Sequence, residues 1–228
     1  PTATPTPVLT EKPATALVSP DAAKAPDADG DAVPDVDDLT PFVPAPLLGR
    51  TVVVAPSRGQ VVVRPPGAKS FTPLDGATYV PTGSVVDTRK GTIRLSSATS
   101  ATTTQTATFR GGLFEVRQAA GGKGMTDIVL RGGDFGACPR RGTASASAKR
   151  KPPKRRVWAQ DDKGRFRTHG RNSVATARGT AWLTEDTCAG TRTKVTKDAV
   201  SVRPVRGGGK AKIVRAGQQL LVRPPARR

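Results

Sequence analysis

The constraint that governs this chain is the rapid succession of short β-favouring runs in its C-terminal third. From Gly164 onward, Ser173–Ala177, Thr180–Thr184, Thr191–Thr196, Ala199–Arg203, Lys210–Val214 and Gln218–Val222 follow one another, with Gly, Asn, Asp and Pro between most of them. β-Branched residues pack well on a pleated surface, and the intervening residues turn a chain sharply, so the pattern predicts strands separated by turns. The same rhythm runs upstream. TVVVAP and GQVVVRP flank Ser57-Arg58-Gly59, which predicts a hairpin. Phe71, Leu74, Tyr79, Val80, Val85, Val86, Ile93 and Leu95 are candidate core residues, with Gly76, Gly83 and Gly91 as candidate turns. Thr102–Phe109 and Leu113–Gln118 predict two further strands split by Gly111-Gly112, and Thr126–Arg131 predicts another. Strands this short at a spacing of about eight to twelve residues make the fold class all-β; a roll, a sandwich and a barrel all remain open.

Composition limits how much of the chain such a fold can use. Hydrophobic residues make up only 36%, while 21 Pro and 24 Gly are many, so a modest core with much irregular chain is expected. Charge divides the chain in two. Residues 1–46 carry eight acids and two bases, whereas the remainder carries ten acids and thirty-five bases. Residues 1–26, rich in Pro, Thr and Ala, are expected to form a disordered linker. An acidic segment, 27–38, and a Pro-rich connector, 39–49, follow it. The folded β domain is expected over 50–223, ahead of a short basic tail, 224–228. No stretch approaches the roughly 20 apolar residues of a membrane span. The chain begins PTATPTP without Met, and the absence of a signal peptide excludes nothing.

Two ends of the predicted domain carry a resemblance. Val61 to Leu95 contains a V-x-V strand, a Pro-flanked Gly-x-Lys turn and PTGSVVDTRKGTIRL; the C-terminal part runs VATARGT, TKV, VSV and IVRAGQ. In that order the segments resemble the FecR-like domains of exported bacterial, especially actinobacterial, proteins. The resemblance covers about 50–223 and is weakest over 97–160. It implies a non-enzymatic β-roll or sandwich acting as a binding or scaffolding module, extracellular or on the cell surface. By analogy with FecR itself, it also implies an envelope signalling or sensor domain as an alternative.

The acidic segment reads Asp27-Ala-Asp29-Gly-Asp31-Ala-Val-Pro-Asp35-Val-Asp37-Asp38. Calcium takes six to eight oxygen ligands, and alternating carboxylates on an extended loop can converge on one such cation. The segment resembles a single thrombospondin type 3-like repeat. That resemblance implies calcium ligands at Asp27, Asp29, Asp31 and the Val33 carbonyl, with Asp35 and Asp38 further along. Ala32 stands where such repeats usually have glycine, and an unliganded acidic linker is the competing reading.

The cluster Lys149, Arg150, Lys151, Lys154, Arg155 and Arg156 lies in a polar, Pro-containing stretch, 139–156, that interrupts the strand pattern and reads as a mobile surface loop. It is a candidate contact for polyanions, either an anionic wall or surface polymer or, as the alternative, nucleic acid. Only 4% of residues are aromatic, which supports a base-stacking platform poorly. Arg165, Arg167, Arg171 and Arg178 near Trp158, Phe166 and Trp182 suggest either a second polyanion or glycan groove or, the reading we favour, core aromatics with outward arginines.

Cys138 and Cys188 sit in turn-like contexts, GACPRRG and EDTCAGT, and are expected to form one disulfide in an oxidising compartment. Catalysis finds little support. His169 is the one histidine and reads as part of an exposed turn, and the neighbours Glu185 and Asp186 are expected to point to opposite faces of a strand.

Overall fold

A computed structural model of the chain describes residues 45–138, 151–161, 165–177 and 179–225. They form fifteen strands: β1 (Thr51–Arg64), β2 (Thr72–Pro73), β3 (Thr78–Pro81), β4 (Val85–Ala98), β5 (Thr104–Arg110), β6 (Leu113–Gln118), β7 (Thr126–Leu130), β8 (Arg155–Asp161), β9 (Phe166–His169), β10 (Ser173–Ala177), β11 (Ala181–Thr187), β12 (Gly190–Lys197), β13 (Ala199–Pro204), β14 (Lys212–Arg215) and β15 (Gln219–Val222). One 3-10 turn, Phe135–Ala137, is the only helical element among the described residues. The fold is all-β, as the strand rhythm requires.

All the strands belong to one sheet, and it forks. β4 is the trunk, with β1 antiparallel along its whole length on one side. On the other side β5 and β6 lie end to end, pairing with Thr92–Ala98 and Val85–Asp87 respectively. The chain passes from β5 to β6 through Gly111-Gly112, and there the sheet divides. β5 continues into β8, β11, β12 and β15, while β6 continues into β7, β9, β10, β13 and β14. The β7–β9 pair is parallel, and every other described pair is antiparallel. The two arms meet again at their far ends. The turn between β14 and β15 is held to both arms, with Gly217 N donating to Val195 O at 3.0 Å and Ala216 N to Asp198 O at 2.7 Å. The result is a nearly closed roll.

Burial alternates with the period of two that a half-buried strand dictates, most cleanly in β5, β6, β7 and β10. The inward residues make one core of mainly Val with Ile93, Leu95, Phe109, Phe114, Ile128, Leu130, Phe166 and Trp182. Phe109 packs its ring 5.5 Å from Phe114 and 5.8 Å from Phe166, centroid to centroid. The buried indole N–H of Trp182 donates to Thr168 Oγ1 at 2.9 Å, which removes the desolvation cost of a buried donor. At the end of β6 remote from the fork, polar side chains replace apolar ones. The Gln105 and Gln118 amides donate to the carbonyls of Gly124 and Ala98, each at 2.7 Å.

Three local expectations are corrected. Ser57-Arg58-Gly59 is not a hairpin: β1 continues through it, with Gly59 at φ +67°, and two register shifts against β4 absorb the extra residues. Gly91 is not a turn but the Cα partner of Gly59 inside β4. A Cβ on Gly91 would stand 2.7 Å from Gln60 O and 2.8 Å from Arg58 O, so glycine serves the close approach of two bulged strands. Phe71 is not a core residue, being 39% exposed; Val80, Val86, Ile93 and Leu95 are fully buried, and Leu74 packs against the core edge.

Candidate functional site

The fork leaves a groove on the surface. Its floor is Gly111, Gly112 and Leu113 at the β5–β6 junction, and its walls are Arg131–Gly133 after β7 and Lys154–Arg156 entering β8, with Arg89 from β4 at one end. The hollow has a volume of about 460 Å³ and no carboxylate among its lining residues. A second hollow of about 470 Å³ adjoins it, sharing Leu113, Arg131 and Gly132, and is bounded by Arg64, Pro65, Pro66, Phe71 and Glu115 among others.

The glycines explain why a groove forms there. A Cβ on Gly112 would lie 2.4 Å from the Arg156 carbonyl oxygen and 3.0 Å from Val157 Cβ, so only glycine lets β8 cross so close to the junction. After β7, Gly132 and Gly133 both take positive φ, +79° and +78°, and swing the chain away from the sheet. The following segment is then fixed at three points. Asp134 Oδ1 accepts from Gly136 N at 3.1 Å and caps the 3-10 turn. Phe135 lies between the guanidinium groups of Arg155 and Arg171, 5.1 and 4.4 Å from its ring centre. Cys138 is disulfide-bonded to Cys188 in the β11–β12 turn, with 5.4 Å between their Cα atoms.

Carboxylates behind the groove orient its cations. Asp87 binds Arg89, with Nε donating to Oδ1 at 2.9 Å. Glu115 takes both Arg117 and Arg131, the latter with Nε 2.8 Å from Oε2. Buried Glu185 holds Lys154 at 2.7 Å and lies 3.9 Å from Arg192. Fully buried Asp186 holds Arg155 Nε at 2.8 Å and accepts from Arg171 N and the Thr191 hydroxyl. Arg155 also donates to Gly132 O at 3.1 Å, which ties the two walls together. Six cationic side chains thus pair with four carboxylates, Arg156 lines the groove with no pairing among these contacts, and the groove keeps a net positive charge. Burial would raise the Asp87 carboxyl, but hydrogen bonds and charge from Arg89 outweigh it and hold the pKa below the ordinary value. Glu115 is likewise lowered against its burial, by Arg117 and Arg131. Both stay ionised at neutral pH.

The sequence-predicted residues fall into three groups. Lys154, Arg155 and Arg156 line the groove, but as the entry into β8 rather than as a free loop, because Glu185 and Asp186 hold the first two. Lys151 is exposed beyond the groove's lining. Cys138 and Cys188 are joined, as expected. Lys149 and Arg150 lie outside the described residues, as do Asp27, Asp29, Asp31, Val33, Asp35 and Asp38 and with them the calcium reading. His169 is not in an exposed turn; it ends β9, and its Nε2 lies 2.8 Å from Asp127 Oδ1. That carboxyl also binds Arg167 at 2.6 Å; burial opposes its ionisation, yet the bonds from His169 and Arg167 hold its pKa low.

The second arginine set does not converge. Phe166 and Trp182 are core, Arg167 is held by Asp127, Arg171 stacks on Phe135, and Arg165 donates to Lys123 O. Arg178 is outside the described residues. Trp158 is half-buried under Arg110, 5.2 Å away. Sequence reasoning missed Arg89, Arg131 and Phe135 as site residues; the doubled glycines at 111–112 and 132–133 were the available signal. Among the described residues no group of His, Cys, Asp and Glu is arranged to hold a metal, and no helix is long and apolar enough to cross a membrane.

Compared with protein-family models, curated proteins and solved structures, the chain matches none, and none of these comparisons identifies a FecR-like domain or a calcium repeat in it.

Proposed function

We propose that this chain is a non-enzymatic binding module of the bacterial exterior, and that the groove at the fork holds an extended anionic surface polymer. One observation carries the reading. Arg89, Arg131, Lys154, Arg155 and Arg156 face a single hollow with no carboxylate in its lining, above Gly111, Gly112 and Leu113 at the β5–β6 junction. Arginine presents five donors in a planar fork, so a guanidinium already held by one carboxylate still has N–H groups for a second anion. The Cys138–Cys188 bridge supports export, since such bonds persist in oxidising compartments. In the same reading the Asp27–Asp38 segment is a calcium-stiffened tether; the density of its carboxylates supports this.

The test is a titration with a flexible polyanion, inorganic polyphosphate, at several salt concentrations. Counterion release makes log K fall linearly with log salt, by roughly 0.7 to 0.9 per anionic group neutralised. Arg156→Gln removes an exposed cation with no carboxylate pairing among these contacts, Arg89→Gln removes one that also holds the half-buried Asp87, and each is expected to weaken binding and flatten that slope. Binding that ignores both substitutions, or that is indifferent to salt, removes the proposal.

A further inference from the structure

The two adjoining hollows differ in chemistry, and the difference specifies the ligand. We infer that the polymer is an anionic glycan: its acidic group sits among Arg89, Arg155 and Arg156, and its neighbouring sugar ring sits in the second hollow against Phe71. The inference rests on the proposed polyanion function and deepens it.

The first hollow offers cations and no lining carboxylate, which suits a phosphate, sulfate or uronate. The second does not suit another such group. Glu115 faces into it, and a second anion there would meet a carboxylate held ionised by Arg117 and Arg131. A ring bearing hydroxyls meets no such penalty, because hydroxyl hydrogens donate to carboxylate oxygens. Beside Glu115 and the two arginines Arg64 and Arg131, the remaining side chains of its walls are apolar: Pro65, Pro66, Phe71, Val85 and Leu113. Phe71 is 39% exposed, a large outlay of apolar surface for a residue with no core role, and Pro65 and Pro66 stand beside it. The C–H bonds of a pyranose carry partial positive charge and suit the electron-rich face of such a ring. Arg64 lies 5.3 Å from the Phe71 ring centre and fixes its orientation. Because the hollows share Leu113, Arg131 and Gly132, one chain passes from charge to ring without leaving the surface.

Single-stranded nucleic acid also alternates charge with rings, but it binds on successive aromatic faces. Here each of Phe71, Phe135 and Trp158 carries an arginine over its ring, but Phe135 and Trp158 are only half-exposed, and Phe71 is the one exposed aromatic side chain among the described residues.

The experiment compares four probes by calorimetry at one salt concentration: a sulfated oligosaccharide, inorganic polyphosphate of matched charge, a neutral oligosaccharide and oligothymidylate. The expected order places the sulfated oligosaccharide at least tenfold tighter than polyphosphate, with the neutral sugar weakest. In Phe71→Ala the sulfated oligosaccharide and polyphosphate are expected to bind alike, circular dichroism confirming an unchanged fold. Equal binding of those two probes by the wild type overturns the glycan assignment and leaves the polyanion function standing. Tightest binding of oligothymidylate, lost in Phe71→Ala, overturns it in favour of nucleic acid. No binding of any charged probe removes both readings.

Discussion

A single methyl group on Gly112 would occupy the space where the Arg156 carbonyl now passes, 2.4 Å away, in a strand held by its ladder with β11. Neither neighbour can yield as a flexible side chain would. Gly112→Ala is therefore expected to destabilise the domain by about 1–3 kcal/mol, the usual cost of overpacking. Urea melts check this; a stability unchanged within error would mean that β8 has room at the junction. Charge at the residue scale gives a second expectation. Asp127 gains His169 and Arg167 on folding, and their hydrogen bonds lower its pKa against the opposing effect of burial. A carboxyl with a lowered folded-state pKa contributes stability above its unfolded value near about 3.9 and loses it as pH falls towards the folded value. The gap in stability between wild type and Asp127→Asn is thus expected to be full at about pH 6 and to shrink below about pH 4. A gap that persists undiminished into stronger acid would show that the carboxylate charge is not what matters there.

At the scale of elements, the strap from Gly132 to Cys138 is what keeps one wall of the groove in place. It makes its contacts through Phe135, the Gly132 carbonyl and the disulfide, and buries no residue of its own 3-10 turn. Cross-linking residues 50 apart in sequence is worth about 4 kcal/mol in the chain-entropy model. Cys138→Ser with Cys188→Ser is expected to lower stability by that order and to weaken polyanion binding as well, since the packing of Arg155 on Phe135 loosens with the strap; equal affinity in a folded double variant would show that the wall stands without it. How far these elements could be read in the sequence depended on what marks them. Strands β10 and β12 to β15 emerged within two residues of their ends, and β11 within three, because each is a short β-favouring run bounded by turn residues. β1 and β4 were cut too short, because Gly59 and Gly91 look like turns in one dimension and become a paired close approach only when two strands meet. The entry to β8 was hidden for a related reason. Lys154 and Arg155 read as solvated until Glu185 and Asp186, some thirty residues later, are brought beside them.

For the whole molecule, the forked sheet gives the basic chain a direction. The chain carries a formal net charge of +19, and at the fork Arg89, Arg131, Lys154, Arg155 and Arg156 line one hollow. The sheet divides at the β5–β6 junction, where Gly112 is buried and Gly111 and Leu113 are half-exposed between two arms that rejoin at the β14–β15 turn. The apolar core is then a scaffold beneath both arms, and in the proposed function the groove is the part that binds. The most direct measurement is an amide chemical-shift map of the isotope-labelled protein titrated with a sulfated oligosaccharide. Shifts are expected to concentrate at Gly111–Leu113, Arg131–Gly133 and Arg155–Val157. Shifts centred instead on the basic residues Lys194, Arg203 and Lys212, or spread evenly over the surface, would contradict a groove-centred function.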